Sequence, residues 1–330
     1  MGLAAFLLLL YSFGAWTALG RNWPDFTFRT DFVSFWTAGS LVRQGEGVRL
    51  VDSHAQRDLQ AQLRKDVVFL EMPSASGSRV SPFWNPPPLA LLFLPLTLLP
   101  FPIAYLVWLG LNLALFLASL AILLRGVPFG RTAAVLMLSY TGVAISLLEG
   151  QANSIFLLAF SLALLSLVRG RRVLGGVLLG LLWLKPQYAV LFAVVFLLKR
   201  RWRELAGMTG VGLALAIVSV VMVGVDGMFL YVDELRRIGG LHPPASSLIS
   251  PERMANWRAL LLNLWPDAPE AEGSALMLLL EGLTALASLP AWRGKWDATS
   301  HRFPRQMLVA TLATLIVSPH SHFHGTVLLL

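Results

Sequence analysis

The sequence predicts an all-α polytopic membrane protein, and both its composition and the apolar segments along it support this prediction. Of its 330 residues, 56% are hydrophobic and only 13% are charged, and the mean hydropathy is +0.68. Soluble domains contain about 25% charged residues, so charged side chains are depleted roughly two-fold. Apolar runs recur from end to end, and about 20 such residues suffice for a helix to span a bilayer.

We take the chain as one transmembrane domain, 1–330, with seven segments that fit a spanning helix. Residues 2–20 lack the basic start and the cleavage pattern of a signal peptide, so they are interpreted as an uncleaved first helix. The chain ends inside an apolar run, which we interpret as a C-terminal helix cut short. The predicted spans are about 2–20, 102–124, 132–149, 152–168, 205–225, 274–290 and 306–318.

The basic residues indicate orientation in the membrane rather than nucleic-acid binding, although the formal net charge is +8. Thirteen of the 26 lysines and arginines lie in four short loops, 125–131, 169–172, 199–204 and 291–305. Short loops rich in these residues stay in the cytoplasm. The segments on the other side are therefore expected to face outward, including an outer loop 21–86 and an outer loop 226–273.

Two apolar segments do not fit a simple crossing. Segment 86–100 is framed by prolines, and about 13 residues give roughly 20 Å of helix against a core of about 30 Å. It is predicted to be re-entrant or interfacial on the outer side. Segment 173–198 begins and ends at basic clusters and carries Lys185-Pro186 in its middle. Because proline disfavours helix at the preceding residue, we predict a broken helix pair.

The outer loop 21–86 carries an amphipathic helix at about 53–70. Ser53 and Gln56 have the spacing of a capping box, and apolar residues then recur every fourth position from Ala55. Such a helix can lie on the membrane face, or it can pack on another part of a protein.

Three ionisable residues are candidates for chemistry, each with an ordinary alternative. Asp31 lies at a membrane edge among aromatic residues and is either a solvated or capping carboxylate or a working acid/base. Lys185 lies in an apolar run, where a buried charge is costly. It is therefore either a functional residue or a lysine whose ammonium group extends to the membrane interface. Arg258 suits a phosphate group but can equally be solvated.

The remaining candidates are polar. His320, His322 and His324 suggest a metal site, but no acidic cluster accompanies them, so no metal is predicted. Gln151 and Asn153 can bind sugar hydroxyls or cap the following helix. Asn85 has the same two possible roles. The chain has no cysteine, which excludes disulfides and thiolate chemistry.

Six short stretches lie along nearly the whole chain, from Asp31 to His324. They are 31–39 (DFVSFWTAG), 83–90 (FWNPPPLA), 150–153 (GQAN), 180–186 (GLLWLKP), 256–260 (NWRAL) and 318–324 (SPHSHFH). In the same chain order they resemble motifs of glycosyltransferase family 87, although Gly325 stands where the family pattern has a second histidine.

The resemblance implies a membrane glycosyltransferase of the GT-C type in the cell membrane, acting on the extracytoplasmic side. It implies transfer of a hexose, such as mannose, from a polyprenyl-phosphate donor to a lipid or glycan acceptor of the cell envelope, without a nucleotide sugar or another cofactor. Asp31 would then be the general base, and Lys185 and Arg258 would bind the donor phosphate. The implied sugar or acceptor contacts are His324, Gln151, Asn153 and Asn85.

Two other functions remain open from the residues alone. A transporter or flippase could also use a broken helix carrying Lys185, and a non-catalytic assembly subunit would need no site. A transporter would hold its polar groups at the midplane between two repeats, whereas this enzyme would hold them on the outer side. No matching halves are found in the sequence.

Overall fold

The computed structural model describes residues 27–28, 30–67, 81–125, 130–243, 251, 254–318 and 320–330. The predicted first span, 2–20, and the end of the predicted amphipathic helix, 68–70, lie outside the described residues.

The described residues form α-helices and short 3₁₀ segments, with one isolated β-bridge between Met254 and His322. The all-α prediction is therefore confirmed. The helices are α1 Phe32–Arg43, α2 Ser53–Val67, α3 Leu89–Phe93, α4 Phe101–Leu123, α5 Gly130–Leu138, α6 Thr141–Leu148, α7 Asn153–Val168, α8 Arg172–Gly180, α9 Pro186–Leu198, α10 Trp202–Gly239, α11 Trp257–Leu264, α12 Glu270–Ser288 and α13 Phe303–Val317. The 3₁₀ segments are Gly47–Val51, Leu94–Leu98, Leu181–Leu184, Leu289–Trp292 and Phe323–Leu329.

Three helical segments among the described residues are long and apolar enough to cross a membrane: Phe101–Leu123, Trp202–Gly239 and Glu270–Trp292. In α4 the outer surface is apolar, since Leu106 and Leu117 are 49% and 45% exposed, while the polar Asn112 is fully buried. Apolar surface outside and polar groups inside is the arrangement that a lipid environment favours. The chain is a membrane protein.

Some helices differ in length from the predicted spans. The predicted span 132–149 is divided into α5 and α6 at Tyr140, whose backbone is extended. α10 continues to Gly239, well past the predicted end at 225, so the first part of the predicted outer loop 226–273 is helical. A kink at Gly224, with φ 74°, separates this charged second part from the apolar first part.

The segment 86–100 is shorter than a crossing in the structure too. It comprises α3 and the 3₁₀ turn Leu94–Leu98, ten residues that give about 18 Å at about 1.5 Å per α-helical and 2.0 Å per 3₁₀ residue. Segment 173–198 comprises α8, the 3₁₀ turn Leu181–Leu184 and α9, and the helix is interrupted at Lys185, with φ −134° and ψ 84°.

The chain divides into two compact units. Unit 1 comprises residues up to Ile155 together with Val218–Val232, and unit 2 comprises Phe156–Ile217 and Asp233–Leu330. The core of unit 1 is aromatic: Phe35 of α1 stacks on Phe93 of α3, with ring centroids 4.6 Å apart. A side chain at Gly39 would meet the backbone of Phe93 at 3.0 Å, so α1 and α3 pack closely there.

In unit 2, three basic loops lie at one end. Lys199 donates to the backbone oxygens of Trp292 and Gly294, which joins loop 199–204 to loop 291–305. Exposed Asp297 interacts electrostatically with both Arg201 and Arg172, which adds loop 169–172 to the same end. α9, with 13 residues, and α13, with 15 residues, each have one end at these loops. Lys185 lies at the other end of α9, and Ser318 lies at the other end of α13. Lys185 and Ser318 therefore lie at the opposite end of unit 2.

Candidate active site

The carboxylate of Asp31 is held by two distant segments of unit 1. Asp31 occupies the N-cap position of α1, yet its side chain makes no capping hydrogen bond. Instead, Gln151 donates from Nε2 to Oδ2 at 2.5 Å, and the hydroxyl of Ser81 donates to Oδ1 at 3.3 Å. Segments 50 and 120 residues away thus orient this group. We call Asp31, Ser81, Glu149 and Gln151 the carboxylate cluster.

Gln151 is fixed because the turn before it is anchored to α4. Side chains on one face of α4 donate to carbonyl oxygens of this turn, and the amide of Phe32 in α1 donates to another. The four bonds are Tyr105 Oη to Leu148 (2.6 Å), Phe32 N to Glu149 (3.1 Å), Trp108 Nε1 to Gly150 (2.8 Å) and Asn112 Nδ2 to Gln151 (2.5 Å). Four successive carbonyl groups are therefore satisfied inside the protein, which leaves this turn little freedom.

Glu149 brings a second carboxylate into the cluster, with an oxygen within 4.8 Å of one on Asp31. The sequence interpretation missed Glu149 and Ser81. Glu149 immediately precedes the GQAN stretch and could have been noticed as a lone acid closing an apolar run. Ser81 carried no signal, because nothing in its neighbourhood indicates a contact with Asp31.

Gly150 is required at its position for two reasons, so we expect Gly150→Ala to destabilise the turn by about 1–3 kcal/mol. Its φ is +65°, and an added Cβ would meet Cβ of Phe32 at 2.7 Å. The melting temperature in detergent and the transfer rate measure the effect, since displacement of the turn also moves Gln151. Gly170→Ala is the matched control: φ is +73° there, but nothing lies within 4 Å. Equal losses in both variants would contradict a role for the Phe32 contact.

The other sequence-predicted polar residues of unit 1 are placed differently. Asn153 is fully buried at the start of α7 and donates from Nδ2 to the hydroxyl of Ser146 at 3.1 Å. Asn85 lies half-buried in the turn that precedes α3. Of the predicted residues in this unit, the structure therefore brings together Asp31 and Gln151.

In unit 2, Lys185 lies buried at the interruption between α8 and α9. Its ammonium group is 5.8 Å from the ring centroids of both Phe156 and Tyr188, and the residue is 5% exposed. The aromatic faces offset part of the cost of burying a cation. Lys185, Arg258, His320, His322 and His324 are referred to as the cationic cluster.

Arg258 is buried at the start of α11, and part of its guanidinium is engaged by backbone. Nε donates to the oxygen of Leu241 and Nη1 to that of Ile238, both at 3.0 Å. These carbonyls lie at or just after the C-terminal end of α10, where a cation satisfies acceptors and complements the helix dipole. Burial lowers the pKa of Arg258 to about 10, so it remains charged at neutral pH.

The ring of His322 lies between the rings of His320 and His324 and contacts both. The rings of His320 and His322 are 5.1 Å apart, and those of His322 and His324 are 5.4 Å apart and nearly parallel. Burial lowers the pKa of His320 to about 3, and His322, Arg258 and Lys185 act in the same direction. His320 is therefore neutral at physiological pH.

The 256–260 and 318–324 stretches are joined directly. Asn256 accepts from the amide of Ala259 at 2.9 Å, which caps α11, and donates from Nδ2 to the oxygen of Ser318 at 2.8 Å. The amide of Ala255 donates to the oxygen of Ser321 at 2.7 Å. One asparagine thus positions both Arg258 and the histidine segment, a role that the sequence interpretation did not assign to it.

The departure from the family pattern at Gly325 has a steric reason. A Cβ at Gly325 would lie 2.4 Å from the hydroxyl oxygen of Tyr188, which is itself buried. No larger side chain fits there unless Tyr188 moves, and the ring of Tyr188 faces Lys185.

Comparisons with known proteins relate the chain to glycosyltransferases. The model of glycosyltransferase family 87 matches residues 83–319. Two similar proteins are each named a polyprenol-phosphate-mannose-dependent alpha-(1-2)-phosphatidylinositol pentamannoside mannosyltransferase. The protein from Mycolicibacterium smegmatis is 30% identical over 76% of this chain and 59% of its own length. The protein from Mycobacterium tuberculosis is 28% identical over 97% of this chain and 69% of its own length.

No solved structure matches the chain. The chain spans 59% and 69% of the lengths of the two curated relatives. The family model alone covers well over half of the 330 residues, from the FWNPPPLA stretch to the start of the histidine segment. The chain belongs to glycosyltransferase family 87.

Proposed function

We propose that the chain transfers a mannosyl group from a polyprenyl-phosphate carrier to a hydroxyl of a lipid or glycan acceptor, with Asp31 as general base. The observation that carries the proposal is the carboxylate of Asp31, which is held by Gln151 and Ser81 instead of capping α1. The names of the two relatives support the donor and the sugar.

In the proposed reaction the acceptor oxygen attacks the anomeric carbon while its proton passes to Asp31. The bond from that carbon to the phosphate oxygen breaks, its electron pair goes to the phosphate, and the configuration inverts. A positioned base of this kind typically contributes about 10²–10⁴-fold to a rate. The side-chain contacts to both oxygens support this role, because they hold the carboxylate in one orientation.

The leaving group gains negative charge as a phosphodiester becomes a phosphomonoester. Buried cations stabilise such charge strongly, because they do not have to reorganise during the reaction. We assign this role to Lys185, supported by its burial and by its place at an interruption of the helix. Arg258 adds positive charge, and its engaged nitrogens keep the guanidinium in place.

The polar side chains complete the proposal. Asn85 and His324 contact hydroxyls of the sugar or the acceptor, and Gln151 acts through its bond to Asp31. Asn153 supports the same turn through Ser146. No metal or other cofactor is assigned.

The protein is proposed to be a multi-pass protein with its site on the extracytoplasmic side. Loops rich in arginine and lysine stay in the cytoplasm. Three such loops lie at one end of unit 2, and Lys185 and Ser318 lie at the other end, beyond α9 and α13. This geometry supports an outward-facing cationic cluster.

The donor class can be tested with protein reconstituted in liposomes that contain no endogenous polyprenyl phosphate. We expect label to pass to a lipid acceptor from radiolabelled polyprenyl-phosphate mannose and not from GDP-mannose. Liposomes without the protein are the control. Transfer from GDP-mannose at a comparable rate would contradict the proposed donor.

A further inference from the structure

We infer that Gln60 and Ser81 are positioning residues for Asp31, so that helix α2 belongs to the working part of the enzyme. The inference rests on the proposed function of Asp31. Nothing in the 53–70 stretch suggested it, because an amphipathic helix in an outer loop is expected to cover a surface.

Gln60 holds the backbone of Ser81 at both of its polar groups. Its Nε2 donates to the oxygen of Ser81 at 2.9 Å, and its Oε1 accepts from the amide of Ser81 at 3.0 Å. The side chain of Gln60 is buried, with an exposed fraction of 7%. A primary amide that bonds both groups of one residue fixes that residue much as a neighbouring strand would.

A second glutamine, one helical turn earlier, extends this pairing. Gln56 accepts from the amide of Phe83 at 2.6 Å and donates to the oxygen of Leu50 at 2.7 Å. Gln56 is 1% exposed. Residues four apart lie on the same face of a helix, so α2 presents two buried amides to the segment 81–83. The polar bonds are directional, and they fix the register of this segment against α2.

The hydrogen bond from Ser81 to Asp31 is the last in this series of contacts. Ser81, once its backbone is held, directs its hydroxyl to Oδ1 of Asp31 at 3.3 Å, while Gln151 holds Oδ2 at the shorter distance of 2.5 Å. The two contacts together hold both oxygens of the carboxylate. Each oxygen has a second acceptor site, so the carboxylate can keep both contacts while it takes the proton of the acceptor.

The test compares transfer kinetics of Ser81→Ala and Gln60→Ala in reconstituted protein. Removal of a group that orients a reacting side chain costs on the order of tenfold or more in activity. We expect kcat to fall by about that factor, with the donor KM changed less than about two-fold, because the proposed function assigns the donor phosphate to Lys185 and Arg258. Ser81→Thr retains the hydroxyl and should recover most of kcat.

The control is Gln62→Ala, a glutamine in the same helix whose side chain is exposed, and it should retain wild-type kcat. In the double variant the loss should not exceed the larger single loss, because both substitutions break one chain of contacts. Losses that multiply would overturn the inference, as would wild-type kcat in Ser81→Ala. If Gln60→Ala does not fold, Ser81→Ala and Ser81→Thr decide alone.

The same assay distinguishes this inference from the proposed function. If Asp31→Asn is inactive while Ser81→Ala retains wild-type kcat, Asp31 remains the base and the positioning role is wrong. If Asp31→Asn is active, the proposed base itself is wrong, and the inference fails with it.

Discussion

Replacement of Asp31 with Asn is expected to reduce sugar transfer by about a hundredfold or more, with donor affinity nearly unchanged. The amide has the size of the carboxylate and can accept from Gln151 or Ser81, but it cannot take a proton from the acceptor. The loss should therefore appear in kcat and leave the donor KM within about two-fold. Initial rates with labelled polyprenyl-phosphate mannose in liposomes measure both.

The matched control is Asp58→Asn, which removes a carboxylate from the exposed face of α2. It should retain the wild-type rate, and the melting temperatures of both variants in detergent should agree with that of the wild type. If Asp31→Asn retains more than about a tenth of the wild-type rate, the carboxylate is not the base, because such a loss is smaller than a positioned base typically contributes.

The second large effect is expected from Lys185→Met. Methionine has an unbranched side chain of similar length but lacks the positive charge. A hydrogen bond to a charged group contributes about 1.5–3 kcal/mol, which corresponds to roughly a ten- to hundredfold change in affinity. We expect the donor KM to rise by this factor and kcat to fall as well, because the negative charge on the leaving phosphate grows in the transition state. Methionine can still pack between the rings of Phe156 and Tyr188, so folding should be preserved.

Lys295→Met serves as the control, because Lys295 is exposed in the basic loop 291–305. Its donor KM should equal that of the wild type. If the KM of Lys185→Met is also unchanged, Lys185 does not bind the donor phosphate, and its burial has a structural cause.

Several features of the fold were predictable because they depend on local chemistry. The apolar length of 102–124 predicts a spanning helix, and α4 occupies Phe101–Leu123. Proline after Lys185 disfavours helix at that residue, and the backbone of Lys185 is non-helical. In contrast, the break at Tyr140 has no proline to mark it, and the charges after Gly224 concealed the second part of α10.

The site was predictable where a short stretch carries several polar residues. Asp31 and Gln151 were named from their motifs, and the hydrogen bond between them joins residues 120 positions apart. That bond depends on how α4 anchors the turn 148–151, which no local pattern encodes. Ser81 and Gln60 escaped prediction for the same reason, since their contacts arise from packing between segments distant in sequence.

The role of Arg258 is also clearer with the structure. The sequence favoured a phosphate contact or a solvated side chain, and the structure shows a buried guanidinium that donates to the carbonyls of Ile238 and Leu241. Arginine is well suited to this position, because its planar group bonds backbone and still carries its charge toward His320.

The most direct test of Asp31 as the base of a polyprenyl-phosphate-dependent transferase is one transfer assay on three proteins. Wild type, Asp31→Asn and Asp58→Asn are reconstituted side by side and supplied with the same radiolabelled polyprenyl-phosphate mannose and lipid acceptor. We predict labelled product from wild type and from Asp58→Asn, and none above background from Asp31→Asn. Equal labelling by all three proteins would contradict it.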